Sequence, residues 1–320
     1  MSTCMDDTVL KSVVDAWVQG GSFPGAVLGV YDRTGKEQFY HEVNCQREDM
    51  LDKVNSPGYN RQTIFRIYSM TKPVTAVAIM ILVDRGLVSL SDPVSKFIPS
   101  FENSKVVVGG DAENPLTVAA SSPMTVENLL THTSGLGYAL FGNSICDQLL
   151  RKELGEGIAT FWKDIPLDIF CERIAKCPLN FHPGTHFEYG FSFEVLGRIV
   201  EVVSKQSLRE FFMHEIFAPL GMKDTDFYVP PEKLTRLAKC YEHTSGHTFK
   251  LSVAAERSRD ELPVNLQGGG GLVGTLEDYA KFALCLLNDG EIVHPVSSPP
   301  PPPPSSSLSS SSSSTTSNSS

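Results

Sequence analysis

Ser69 and Lys72 stand three positions apart in the stretch IFRIYSMTKPVTAVAIMILVDRG. On a helix that spacing puts both side chains on one face. A serine hydroxyl is a poor nucleophile until a base takes its proton. A lysine amine can be that base once burial or nearby positive charge weakens its hold on a proton. Ser-x-x-Lys is a short pattern, and a chain of this length should hold about one by chance at average residue frequencies. What singles this one out is its setting. The pattern predicts a short strand from Ile64 to Ile67, then Ser69, then a helix to about Arg85. A strand-to-helix junction is where an activated serine is held exposed. Pro73 has no N–H to bond the Ser69 carbonyl, so the first turn is expected to be tight or irregular.

The helix after Ser69 must bury the amine. Val74, Val77, Ala78, Ile81 and Leu82 form one apolar stripe, and Ile79, Met80 and Val83 fill the other side. A helix apolar nearly all round belongs inside a protein. With Pro73 and Asp84 bounding it, the run is too short for a membrane span. Gly86 stands where a C-cap glycine is expected.

The remaining elements follow in chain order. An amphipathic helix is predicted from Thr8 to Val18, with Val9, Val13, Val14, Trp17 and Val18 facing inward. A β-hairpin follows, from Pro24 to Tyr31 and Glu37 to Val43. Asp92-Pro93 opens a brief helix, Lys105 begins a strand-like KVVV, and Thr125 caps a helix to about His132. Tyr138 to Lys163 reads as a surface insertion with a short helix around Gln148. Helices are expected at Leu167 to Lys176, Phe193 to Val203, after Ser207, from Pro230-Pro231 to Ala238, and from Leu276 to Asn288. Two strands are expected between Lys239 and Ser252. Residues 8–292 form one domain in this reading. From 293 to 320, six consecutive prolines and a serine/threonine run cannot build a core and are expected to be disordered.

Composition narrows the function. The 320 residues are 41% hydrophobic and carry a formal net charge of -10, which argues against nucleic acid as a partner. Seven scattered cysteines without a Cys-x-x-Cys pair suit a reducing compartment. The first residues lack an apolar signal core, so a cytoplasmic location is expected. His182 and His186, like His243 and His247, have the i, i+4 spacing of metal ligands. Pro183-Gly184 interrupts the first pair and Gly246 the second, so neither keeps the helix that spacing requires, and no metal or cofactor is expected. Gly268 to Gly271 lacks the Lys-Ser/Thr of a phosphate cradle and reads as a flexible wall of a cleft.

Several motifs in one order carry a resemblance: SMTKP…LVDRGLVSLSDPVSKFIPSF, LLTHTSGL, FEYGFSFEVLGRIVE and FAPLGM. By these, from about Thr8 to Glu291, the chain resembles the β-lactamase-related serine hydrolases, among them class C β-lactamases, penicillin-binding carboxypeptidases and family VIII carboxylesterases. The resemblance implies an α+β, β-lactamase/transpeptidase-like fold: an antiparallel sheet flanked by helices, beside an all-helical lobe, with the site between. It implies Ser69 as the acylated nucleophile, Lys72 as its base, and Tyr189 as a phenol relaying the proton to the leaving group or priming water. It makes His132 structural, capping a helix near the site. The substrate implied is a small ester or amide.

Two departures qualify this. Tyr189 is followed by Gly190-Phe191 where many lactam-processing relatives have asparagine two positions after the tyrosine, which tilts the expectation toward simple esters. The family's last strands, its Lys-Thr-Gly or His-x-Gly element and its C-terminal helix have no counterpart here. The Ser69 N–H is then one oxyanion donor and the second is missing, a loss that costs about 10²–10³ in rate. The missing strands would also leave the first hairpin with an open apolar edge. The reading is therefore a serine hydrolase, with a catalytically weak or inactive binding or scaffold relative as its rival.

Overall fold

Helix α1 spans Asp7–Gln19, and only Val14 and Val18 of its expected stripe are buried. They pack with Val43 of strand β2 (Glu37–Asn44) and with Ala26 and Leu28 of strand β1 (Gly25–Tyr31). Val9, Val13 and Trp17 face outward, against the sequence expectation. The cluster on the hairpin takes in only Val14 and Val18 of α1, and Trp17 meets only the edge of the exposed Phe23 ring among the described residues. These are, in the computed structural model, residues 7–44, 58–140, 142–155, 165–244, 248–252 and 259–292. The proline/serine tail, residues 245–247 and part of the expected insertion, 156–164, lie outside them.

The expected strand before Ser69 is β3, Phe65–Arg66, paired antiparallel with β8, Val273–Gly274. Helix α2, Thr71–Asp84, follows. Val74, Ala78, Ile79 and Leu82 are buried, while Met80 is exposed, so the helix is covered on most of its circumference rather than all. Gly86 at φ 68° lets the N–H groups of Gly86 and Leu87 return to the carbonyls of Val83 and Leu82, closing the helix end.

A second antiparallel hairpin, β4 (Lys105–Gly110) with β5 (Pro115–Ala119), follows. Only β4 is read as a strand from the sequence; β5 is a five-residue stretch opened by a proline. Asp92 does not cap the short 3₁₀ turn Val94–Lys96. Its carboxylate accepts from the Ser89 N–H and Lys96 instead. Thr125 does cap α3, Val126–Leu130, in a reciprocal box with Asn128. Ser144 and Asp147 cap α4, Ile145–Leu154, in the same way. Helices α5 (Leu167–Ala175), α6 (Ser192–Ser204) and α7 (Leu208–Phe212) come next. A π-turn over Met213–Phe217 runs from α7 into α8, Ala218–Leu220. Strands β6 (Tyr241–Thr244) and β7 (Thr248–Leu251) pair as expected, and Thr275 caps α9, Leu276–Leu287.

The main apolar core lies among the helices, with α6 at its centre. Val195, Leu196, Ile199 and Val200 are fully buried, and α6 touches α2, α3, α5 and α7. Gly197 allows Leu208 and the backbone of Gly268 to approach α6 closely. The fold is α+β, and among the described residues its strands lie in four two-stranded antiparallel ladders. Among the described residues β1 pairs with β2 alone. A largely apolar groove of about 580 Å³ opens beside it, lined by Val27, Phe65, Leu276, Tyr279 and Leu287 among others.

Candidate active site

Ser69 is the middle residue of a 3₁₀ turn, Tyr68–Met70, between β3 and α2. The turn is tight, as Pro73 requires. The Thr71 N–H reaches the carbonyls of Tyr68 and Ser69 rather than starting a full α turn. Tyr68 sits at φ 42°, a left-handed conformation that costs about 1–3 kcal/mol for a non-glycine residue and persists only where neighbours hold it. They do. The Ile67 N–H donates to Leu272 O at 3.1 Å, the Leu272 N–H to Thr71 Oγ1 at 3.1 Å, and the Tyr279 hydroxyl to Met70 O at 3.1 Å. The strand β8 and helix α9 thus fix the junction on which Ser69 stands exposed.

Lys72 lies one turn on and is 7% exposed. Its Nζ donates to Gly269 O at 2.7 Å and lies 3.3 Å from Ser69 Oγ. It also stands 4.5 Å from the centre of the Tyr189 ring. Tyr189 comes from the other side, 120 residues later in the chain, and its hydroxyl is 2.6 Å from Ser69 Oγ. All three sequence-nominated residues therefore meet at one oxygen.

Tyr189 is aimed by its neighbours. A Cβ on Gly190 would stand 2.0 Å from the Leu136 carbonyl oxygen, so only glycine lets the chain pass there. The Phe191 N–H then donates to Gly137 O at 3.2 Å, and the Phe191 ring is fully buried against Tyr138 and Phe170. The residue in the asparagine position is thus a core anchor. Tyr138 meets the Tyr189 ring edge-on at 5.2 Å.

His132 ends α3 in a left-handed conformation, φ 54°. Its carbonyl accepts from the Glu188 N–H at 2.9 Å, and its Nδ1 accepts from the Gly190 N–H at 3.4 Å. The imidazole stacks on Tyr189. Burial first, and then the Lys72 charge, push its pKa down to about 4, so the ring is neutral near pH 7. It touches neither Ser69 nor Lys72 through a hydrogen bond among the described residues, which places it behind the phenol.

The glycine run does wall the cleft, but not as a flexible strip. Gly268, Gly269 and Gly271 are buried, and the Thr75 hydroxyl donates to Gly268 O at 2.7 Å. They are glycines because backbone passes between α2 and α6: a Cβ on Gly268 would lie 2.5 Å from Phe193 O. His182 accepts from the Ser121 N–H and His186 contacts Thr185, while His243 packs on Phe249 and His247 lies outside the described residues. Glu194, Tyr138 and Gly190 were not singled out by the sequence. A glutamate among the apolar positions of α6 was the one signal present.

The Beta-lactamase family model matches residues 10–306. The chain belongs to the Beta-lactamase family. Within it, the chain is 36% identical to Protein Rv1367c of Mycobacterium tuberculosis over 259 residues, 77% of this chain and 61% of that protein. It is 34% identical to the esterase EstB of Burkholderia gladioli over 228 residues, 70% of this chain and 51% of EstB. It thus spans between about half and three-fifths of these relatives' length. Among solved structures it is similar in fold to simvastatin synthase (LovD) from Aspergillus terreus, with a TM-score of 0.74 and 24% identity over 90% of this chain and 70% of that one. No helix among the described residues of this family member is long and apolar enough to cross a membrane.

Proposed function

We propose that the protein is a serine hydrolase that cleaves small esters through an acyl-enzyme on Ser69. The observation that carries this reading is the Tyr189 hydroxyl at 2.6 Å and the Lys72 amine at 3.3 Å from the same serine oxygen. Lys72 is held by its N–H bond to Gly269 O, which leaves the rest of the amine facing Ser69. In the neutral form it takes the hydroxyl proton as Ser69 Oγ bonds to the ester carbonyl carbon. The tetrahedral oxyanion lies toward the Ser69 N–H. Tyr189 then passes a proton to the leaving alkoxide as the C–O bond breaks, and the alcohol departs. Water then attacks the acyl carbon and gives its proton to the Tyr189 phenolate; as the bond to Ser69 Oγ breaks, the Lys72 ammonium returns its proton to that oxygen and the acid is released.

Esters are favoured over β-lactams because Phe191 is turned into the core and offers no amide to a lactam side chain. An apolar acyl group is favoured because Tyr68 and Met70, on either side of Ser69 in the chain, and Tyr189, hydrogen-bonded to it, all expose ring or thioether surface. EstB, with 34% identity, is itself named an esterase. Small amides are a poorer second substrate. A cytoplasmic location belongs to this reading, supported by the free cysteines 146, 171, 177, 240 and 285.

The test is turnover of p-nitrophenyl butyrate, with fluorophosphonate labelling, by wild type and Ser69→Ala. Turnover and labelling lost in the variant support the hydrolase. An unlabelled, inactive but folded wild type leaves the binding or scaffold relative instead.

A further inference from the structure

Glu194 sits on the first turns of α6 and is 1% exposed, and neither carboxyl oxygen has a hydrogen-bond partner among the described residues. Leucine or isoleucine would fill this place among Val195, Leu196 and Ile199 with far less desolvation. Something other than packing must favour the acid. The carboxyl lies against Gly269: a Cβ there would stand 2.2 Å from Glu194 Oε1. The carbonyl of that same glycine accepts from Lys72 Nζ at 2.7 Å. One glycine therefore separates a buried amine from a buried acid. Among the described residues the hydrogen-bond partners of Lys72, Ser69 Oγ and Gly269 O, are both neutral oxygens.

The surroundings leave the pair to each other. Burial pushes the Glu194 carboxyl pKa up; against that, Lys72 from α2 favours the anion, and the nearby backbone amides of Glu194 and Gly269 add to its pull. Tyr138, ahead of α4, and Cys171, on α5, face the carboxyl with their own protons held more tightly by burial. Tyr189 and the neutral His132 face Lys72. In a site this dry, opposite charges on the two sides of one glycine couple even without contact.

We propose that Glu194 is a positioning residue: from the far side of Gly269 its carboxylate is the counter-charge of Lys72 and sets the pH at which the amine becomes free to act as a base. The inference deepens the reading of Ser69 and Lys72 as nucleophile and base and rests on it for its catalytic meaning. The electrostatic link itself can be measured without turnover.

The experiment follows the Lys72 side chain by NMR in full-length protein labelled with ¹³C at lysine Cε, with the resonance assigned by its loss in Lys72→Met. In Glu194→Gln the Lys72 midpoint falls by about one pH unit or more, a tenfold loss of proton affinity. Glu194→Asp, which keeps the charge, moves it less. Coupling is reciprocal, so in Lys72→Met the Glu194 carboxyl, followed by ¹³C at glutamate Cδ, titrates higher than in wild type. That second arm decides the matter if Glu194→Gln does not fold. A Lys72 midpoint unchanged in Glu194→Gln, or a Glu194 carboxyl unmoved in Lys72→Met, overturns the proposal. In an active enzyme the acid limb of the kcat/KM profile moves to lower pH in Glu194→Gln, because neutral amine persists further into acid. A purely structural glutamate would lower stability and leave that limb in place. Absence of esterase activity in wild type would defeat the hydrolase reading alone, since the titrations still report the pair.

Discussion

His132 lies ring on ring against Tyr189, with centroids 4.7 Å apart and planes 26° apart. The stack joins the end of α3 to the approach to α6, and the Glu188 and Gly190 N–H groups bond to His132 on either side of the tyrosine. The phenol that reaches Ser69 is thus backed by a buried, neutral imidazole. A charged imidazolium there would repel Lys72 and lose its hydration.

Stability should depend on pH through this histidine. His132 titrates near 4 in the folded protein and near 6.5 when unfolded, so between these values the unfolded chain binds more protons and stability falls as pH is lowered. The His132 contribution is fully present above about pH 6.5 and lost by about pH 4. His132→Asn, which tolerates the left-handed backbone, should flatten this dependence. Urea midpoints at pH 7 and pH 4.5 for both proteins check it, and equal slopes would contradict the assignment.

Removing the phenolic oxygen should separate chemistry from fold. Tyr189→Phe keeps the ring on His132 and loses the 2.6 Å contact with Ser69. The expected result is a fall in kcat of about 10²–10⁴ with little change in the thermal midpoint. Steady-state kinetics beside a melting curve distinguish this from a variant that merely unfolds.

Gly190→Ala should damage both. The added methyl would meet the Leu136 carbonyl at 2.0 Å, and backbone cannot rotate away as a side chain can. A destabilisation of about 1–3 kcal/mol is expected, with activity lost because Tyr189 is displaced from Ser69. Denaturant titration measures the first and esterase turnover the second. Gly221→Ala makes a useful control, since nothing lies within 4 Å of its Cβ and its strain is confined to φ 66°.

The uncovered apolar surface should make the isolated chain self-associate. Val9, Val13, Trp17 and Phe23 are exposed on and beside α1, and β1 has one partner among the described residues. Val13→Glu with Trp17→Lys should lower light scattering and binding of an apolar dye while changing stability by no more than about 0.5 kcal/mol per site. Undiminished scattering would place the sticky surface elsewhere.

What could be read before folding was local. The caps at Thr125 and Thr275, the glycine stop at Gly86, the run from Val74 to Leu82 and the Ser69–Lys72 spacing each depend on a few adjacent residues, because helix period and backbone hydrogen bonding act over one or two turns. The α+β class and the pairing of β6 with β7 were legible for the same reason. The exposure of Met80, Val13 and Trp17 was not, since an apolar stripe says which face seeks cover and not whether another element arrives to provide it. Nor was the buried state of the glycine run, whose cause is two helices pressing on one strip of backbone.

The residue types of the site were set by the chain alone: a hydroxyl, an amine and a phenol, two of them locked together by three-residue spacing. Their convergence was set by packing. Tyr189 reaches Ser69 across 120 residues because α6 docks on α2 and α3, Gly190 permits the crossing and Phe191 anchors it. Glu194 acquires its relation to Lys72 through that same docking, with Gly269 between them. Contacts of this range follow from burial of whole faces, a property of the assembled core that no short stretch of sequence carries.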